Sequence, residues 1–241
     1  AGSGLLDRTG SVKPMALERA SWWSPRPVVY AVRRTAPAQR IGADPGFAPL
    51  TARQMQFADW TPHDSAPHDE TVEVYSNCDE VELFLNDKSL GSLPINRDAS
   101  PRVWKAAFAP GTLRAVGHST GKPGAIDELR TAGTPAKILL TADRLRLTND
   151  WEDVVRLTAT VVDSNGVCVP SATDAIAFGI AGSGVIAAVD SADNASHEPF
   201  QATSRRAFGG RCYAFVKASA ASGTITITAS ARGLVGGTAE L

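Results

Sequence analysis

The sequence predicts an all-β chain folded as two antiparallel sandwiches in tandem, and three features carry that expectation. Short runs alternate between apolar and polar side chains with a period of two, as half-buried strands do. Turn chemistry separates them at short intervals. No sustained helical period follows Tyr30. The stretch Val72–Gly91, VEVYSNCDEVELFLNDKSLG, shows all of this at once. It reads as two short strands joined by a turn at Asn77-Cys78-Asp79-Glu80, with a second turn at Asn86-Asp87. Val81, Leu83 and Leu85 point one way, and Glu82, Phe84 and Asn86 the other.

The remaining elements follow in order. Val12 to Trp23 suits one short helix starting near Pro14, because proline is tolerated in a first helical turn. Met15, Leu17, Ala20 and Trp23 form its apolar stripe, which a helix of that length cannot bury alone. Residues 36–69 carry Pro, Ala, Gln and Arg with little periodicity and read as a linker. The first sandwich is expected over 70–133, where Val103–Phe108 and Leu113–Gly117 flank Pro110-Gly111, the chemistry of a type II turn. The second is expected over 134–241. There Arg156–Val162 alternates ahead of Asp163-Ser164-Asn165-Gly166, and Ile176–Ile180 and Val185–Val189 flank Ala181-Gly182-Ser183-Gly184. Cys212–Ala218 and Thr224–Ala229 close the domain. The turn at Asn86-Asp87 lacks the glycine that favours a type I′ hairpin, a cost of about 1 kcal/mol.

Composition narrows the function. With 241 residues, 43% hydrophobic and 20% charged, the chain can bury two cores. A formal net charge of −1 gives no electrostatic reason to expect nucleic acid or an anionic membrane as partner. No run reaches the roughly 18 apolar residues of a spanning helix. Cys78, Cys168 and Cys212 lack metal or redox spacing and read as buried thiols, with a Cys168–Cys212 bridge left open. His63 and His68 lie with Asp64 and Asp69 in a polar stretch that repeats Pro-His-Asp; it reads as linker, and no metal or other cofactor is expected. The loop Asp190–Asn194 has oxygen ligands at a calcium-like spacing but lacks the full EF-hand pattern.

A family resemblance adds to this. Ser3, Gly4, Leu5, Asp7, Gly10, Lys13 and Pro14, then Trp23, Ser24 and Pro27, resemble the last loop and helix of the catalytic barrel in bacterial glycoside hydrolases of family two. Trp104, Pro110, Gly111, Leu113, Ala115 and Gly117 are similar to the first immunoglobulin-like domain behind that barrel. Asp163, Gly166, Val169, Pro170, Phe208, Gly210, Cys212 and Ala214 are similar to the second. The resemblance implies two immunoglobulin-like sandwiches, with residues 1–35 a remnant of an α/β barrel. It also implies a parent enzyme of the β-galactosidase class, which hydrolyses with retention. The chain opens AGSGLLDRTG, with neither the basic nor the apolar region of a signal peptide, and reads as a piece of that longer protein. Analogy with the family favours a periplasmic or secreted setting.

No catalytic residue is carried over. A retaining glycosidase needs two carboxylates about 5–5.5 Å apart, and the Asn-Glu dipeptide of the family's acid/base is absent from this sequence. Acid pairs such as Asp69/Glu70 and Asp79/Glu80 read as solvated surface. The expected function is therefore a non-catalytic C-terminal part whose partner is the barrel of the parent. A carbohydrate-binding module and a spacer or dimerisation module are the alternatives. Sugar sites on sandwiches use exposed aromatic rings, so the candidates for oligosaccharide binding are Trp151, in the polar loop Asn149–Asp153, and Trp60, for which a packing role is weighed more heavily.

Overall fold

The computed structural model describes residues 4–35, 55–120, 124–150 and 152–241. It divides into two compact units, one formed by Gly4–Leu6 with Val12–Thr131, the other by Asp7–Ser11 with Ala132–Leu241.

The first unit holds helix α1 (Pro14–Trp23) and strands β1 (Val29–Thr35), β2 (Met55–Phe57), β3 (Asp69–Ser76), β4 (Glu80–Leu85), β5 (Lys88–Pro94), β6 (Arg102–Ala107), β7 (Thr112–His118) and β8 (Ala125–Arg130). They form two four-stranded antiparallel sheets, ordered β2-β1-β3-β6 and β5-β4-β7-β8. Alternation decides which side chains meet between the sheets: Ala31, Val72, Val74, Val81, Leu83, Trp104, Ala106, Leu113 and Ala115 are buried together.

Three expectations need revision here. The strands on either side of Asn77–Asp79 do not pair with each other. β3 hydrogen-bonds to β1 and β6, while β4 lies in the opposite sheet, so that turn is a crossover between layers. The hairpin is β4–β5, with Asn86 at φ 50° and Asp87 at φ 62° in the left-handed region. Second, Val29–Thr35 does not belong to an N-terminal remnant but is an interior strand of the first sheet. Third, part of the expected linker is structured, since Met55–Phe57 adds an edge strand to β1. Its first half, 36–54, lies outside the described residues.

The missing turn glycine is offset by a neighbour. The Asn86 side chain accepts a hydrogen bond from the Thr112 N–H at 2.8 Å and donates to the Pro110 carbonyl at 3.0 Å. The β4–β5 turn is thereby fastened to the turn ahead of β7. Gly111, at φ 138°, leaves room for it; a Cβ there would collide with the Asn86 amide.

The second unit holds β9 (Lys137–Ala142), β10 (Val155–Val162), β11 (Ala175–Gly182), β12 (Gly184–Asp190), β13 (Ser204–Arg206), β14 (Arg211–Ala218), β15 (Ile225–Ser230) and β16 (Gly237–Glu240). Its sheets run β12-β14-β10-β9 and β13-β11-β15-β16. Between them lie Leu140, Val155, Leu157, Val161, Ile176, Phe178, Val189, Val216, Ile225 and Ile227. Gly182-Ser183, like the earlier crossover, passes the chain from one sheet to the other. All three cysteines are free thiols, and burial pushes that of Cys212 up to about 12.

Asp7–Ser11 is a turn organised by one carboxylate. Asp7 Oδ1 accepts the Thr9 N–H, the Thr9 hydroxyl and the Ser11 N–H at 2.6–3.0 Å, and Gly10 sits at φ 82°. The turn joins the second unit. Arg8 pairs with Asp190, the Thr9 carbonyl accepts from Arg156 at 2.9 Å, and the Ser11 hydroxyl bonds Tyr213 Oη at 3.0 Å.

Candidate functional site

Within the first unit a cleft of about 410 Å³ lies over the outer face of the sheet β2-β1-β3-β6. Strand register puts its floor there. Glu73 and Tyr75 alternate with the core residues Val72 and Val74, so they point away from the core. Arg34 on β1 faces Gln56 on β2, and Glu73 faces Val103 on β6. An outward face is normally wet, yet Glu73 and Tyr75 are buried. Glu18 of α1 lines the same cleft, together with Ser100 and Pro101 of the loop between β5 and β6.

The floor is a closed polar network. Arg34 Nη1 pairs with Glu73 Oε1 at 2.7 Å. The Tyr75 hydroxyl donates to Glu73 Oε2 at 2.9 Å, and the Gln56 amide reaches Glu73 Oε2 at 3.3 Å and Tyr75 Oη at 2.5 Å. Burial and the adjacent Glu73 carboxylate push the Tyr75 phenol well above its ordinary value, which keeps it a proton donor. Buried polar groups satisfied in this way hold one geometry.

The lip differs. Burial, then the negative Glu73, raises Glu18 above the ordinary carboxylate range, with Arg19 acting against both. Its carboxylate makes no hydrogen bond or ion pair with the described residues. Trp22 lies one turn further along α1, 45% exposed, and its indole Nε1 donates to the Ala99 carbonyl at 3.2 Å. Ala99 holds a positive φ of 58° immediately before Ser100 and Pro101.

A second hollow of about 320 Å³ lies in the second unit, lined by Ser191, Asp193, Ser196, Glu198, Arg206 and Phe208 among others. Beside it, Arg205 is fully buried. Its Nη1 donates to the Glu198 carbonyl, and its Nη2 is 3.5 Å from Asp190. Phe200 lies under both Arg8 and Arg205, at 5.3 Å and 5.1 Å from ring centre to guanidinium. The oxygen-rich loop Asp190–Asn194 is thus engaged with protein groups. Asp190 takes Arg8 and the N–H groups of Ser191 and Ala192, and Asp193 caps Ala195. His68, from the Pro-His-Asp stretch, bonds Glu70 at 2.9 Å.

The aromatic candidates read from sequence fare differently from the cleft. Trp60 is fully buried, packed as a tilted ring pair against Phe108 at 5.4 Å, with Nε1 donating to the Ala109 carbonyl at 3.0 Å. No face of its ring is open to a sugar, so it is a core anchor and not a binding platform. Trp151 lies outside the described residues. Glu18, Trp22, Arg34 and Glu73 were not singled out from sequence as site residues. The available signal was a polar strand face, Thr71-Glu73-Tyr75, carrying an aromatic opposite a continuous valine face.

Residues 138–240 match the family described as glycoside hydrolase family 2 C-terminal domain 5, and residues 69–125 match a domain of unknown function, DUF4982. The chain is a C-terminal region of a glycoside hydrolase family 2 protein. The β-galactosidase BoGH2A of Bacteroides ovatus is 38% identical over 160 residues, covering 66% of this chain and 19% of that protein. A β-galactosidase of Thermoanaerobacter pseudethanolicus is 32% identical over 127 residues, covering 46% of this chain and 17% of that protein. Among solved structures, a family 2 member from Bacteroides cellulosilyticus superposes with a TM-score of 0.84 at 33% identity, covering 100% of this chain and 32% of its own. The chain thus spans about a fifth of these curated relatives and about a third of that structure.

Proposed function

We propose that this chain is the non-catalytic C-terminal part of a β-galactosidase-like or β-glucuronidase-like glycoside hydrolase, and that it supports the catalytic barrel of its parent. The observation that carries this reading is an apolar surface around α1. Leu5, Leu6, Val12, Met15 and Trp23 are all exposed, Trp23 by 74%. Large apolar side chains clustered on one short segment mark a surface meant to be covered. The resemblance of this segment to the last loop and helix of a barrel, and the small share of each relative that the chain spans, support the rest of that barrel as the cover.

Hydrolysis belongs to the parent. In the cleft the neighbouring carboxylates are Glu18 and Glu73, and Glu73 is held by Arg34, Tyr75 and Gln56, a setting that gives it no freedom to act as a nucleophile; Asp59 and Glu70 are likewise tied to Arg33. The test is turnover of aryl β-galactosides and β-glucuronides by the chain purified to homogeneity. No turnover above buffer is expected. Adding the barrel portion of the parent should give a stable complex, and Trp23→Asp should weaken it. Turnover by the chain alone, or a barrel indifferent to Trp23→Asp, overturns the reading, as does burial of the same surface in a concentration-dependent dimer.

A further inference from the structure

We infer that the cleft between α1 and the outer face of the first sheet is a saccharide-binding site, separate from the chemistry of the parent enzyme. Its volume of about 410 Å³ is that of a small-molecule cleft. The lining selects the ligand class. Glu18 and Glu73 against Arg34 leave an excess of negative charge, which disfavours phosphate or carboxylate ligands. Five polar side chains in the lining (Glu18, Arg34, Gln56, Glu73 and Ser100) make a poor seat for a purely apolar molecule. A neutral sugar suits both facts, because its hydroxyls donate to carboxylates and accept from guanidinium groups while its C–H face packs on an aromatic ring.

Each demand is met by a group with capacity to spare. The Glu18 carboxylate has no donor among the described residues and is held partly out of water beside Glu73. Arg34 has one nitrogen on Glu73 and, about a third exposed, keeps further N–H groups for a ligand. Trp22 supplies a half-exposed ring whose orientation is fixed by its bond to Ala99. The floor needs no rearrangement, since Glu73, Tyr75 and Gln56 already satisfy one another. The site is built within one unit, and Trp22 stands at its rim, one turn from Glu18 and edge-on to Trp23 of the docking surface at 5.7 Å.

The test is a titration of the intact ¹⁵N-labelled chain with methyl β-galactoside, lactose and methyl β-glucoside, following the Trp22 indole N–H and the Gln56 side-chain amide resonances, the latter also reporting on the Trp22→Ala variant. A saturable shift with millimolar affinity is expected for at least one sugar. Trp22→Ala and Glu18→Ala should each weaken it by about fivefold or more, the loss of one stacked ring or one charged hydrogen bond. Glu18→Gln keeps the side-chain shape, guards against misfolding, and should weaken binding as well. Phe208→Ala, on the other unit, should bind as the unsubstituted chain does. The proposal fails if no sugar gives a saturable shift, if glycerol shifts the same resonances equally, or if affinity survives both Glu18→Gln and Trp22→Ala. None of these outcomes touches the docking reading, which is scored on barrel association.

Discussion

Arg8 grips Asp190 side-on: Nε reaches Oδ2 at 2.7 Å and Nη2 reaches Oδ1 at 2.8 Å, across 182 residues of sequence. The Asp190 side chain is 8% exposed, so its other supports, the N–H groups of Ser191 and Ala192, are close to dry. Arg8→Ala should therefore cost more than a surface pair does. We expect about 2 kcal/mol from the second unit, the scale of a charge-assisted bond whose partner is left buried. Urea unfolding followed by the backbone amide resonances of β10 and β14 checks it. A loss within error of zero would mean that Arg205 takes over the carboxylate.

The hairpin turn gives two opposed expectations. Asn86→Ala removes the bonds to Thr112 and Pro110 and should destabilise the first unit by about 2 kcal/mol. Asp87→Gly should stabilise it by about 0.5 kcal/mol, because Asp87 sits at φ 62°, its side chain is 93% exposed, and its contact with Arg114 at 3.3 Å is weak. Thermal midpoints of the two variants should move in opposite directions.

Trp60→Ala should be the most damaging of these changes, costing about 3–5 kcal/mol as a buried aromatic replaced by a cavity. Trp60→Phe should recover part of that while leaving the Ala109 carbonyl without its donor. Denaturant midpoints decide, and equal losses for both variants would contradict a packing role.

Two acidic groups should pull stability in opposite directions with pH. Asp163 lies below the ordinary carboxylate range because the Gly133 N–H, then those of Val167 and Asn165, bond its oxygens against the pull of burial. A depressed folded value contributes stability that is present above the unfolded value, about 3.9, and lost as pH falls through the folded one. Glu18 is raised by burial and by Glu73, so it costs stability as pH rises from the ordinary range through its folded value. Glu18→Gln should stabilise the chain at neutral pH and have little effect in acid. Asp163→Asn should cost stability at neutral pH and flatten the acid arm. A pH series of urea midpoints reads both signs.

The period of two made the strands legible, because every side chain on one face of β4, β6 or β10 answers to the same core. Layer assignment was not legible. Asn77–Asp79 and Gly182-Ser183 carry the same turn residues whether the chain doubles back or crosses between sheets, and that choice rests on partners far away in sequence. Val29–Thr35 was missed for a related reason: Arg33 and Arg34 look like solvent-facing residues until Asp59, Glu70 and Glu73 are brought beside them. The cleft escaped notice because Glu73 and Tyr75 read as a wet strand face. What turns that face into a floor is a helix from more than fifty residues earlier, since α1 ends at Trp23 and Tyr75 lies on β3.

The membership of Asp7–Ser11 in the second unit has a consequence for synthesis. The first sandwich, Val12–Thr131, is an insertion between two parts of one folding body. On the ribosome Arg8 emerges long before Asp190 exists, and it must wait, unpaired and charged, while an entire sandwich forms behind it. A cut at the apparent domain border, between Thr131 and Ala132, would release a second sandwich deprived of Asp7–Ser11. The division seen in space is not one that a pair of scissors in the sequence can reproduce.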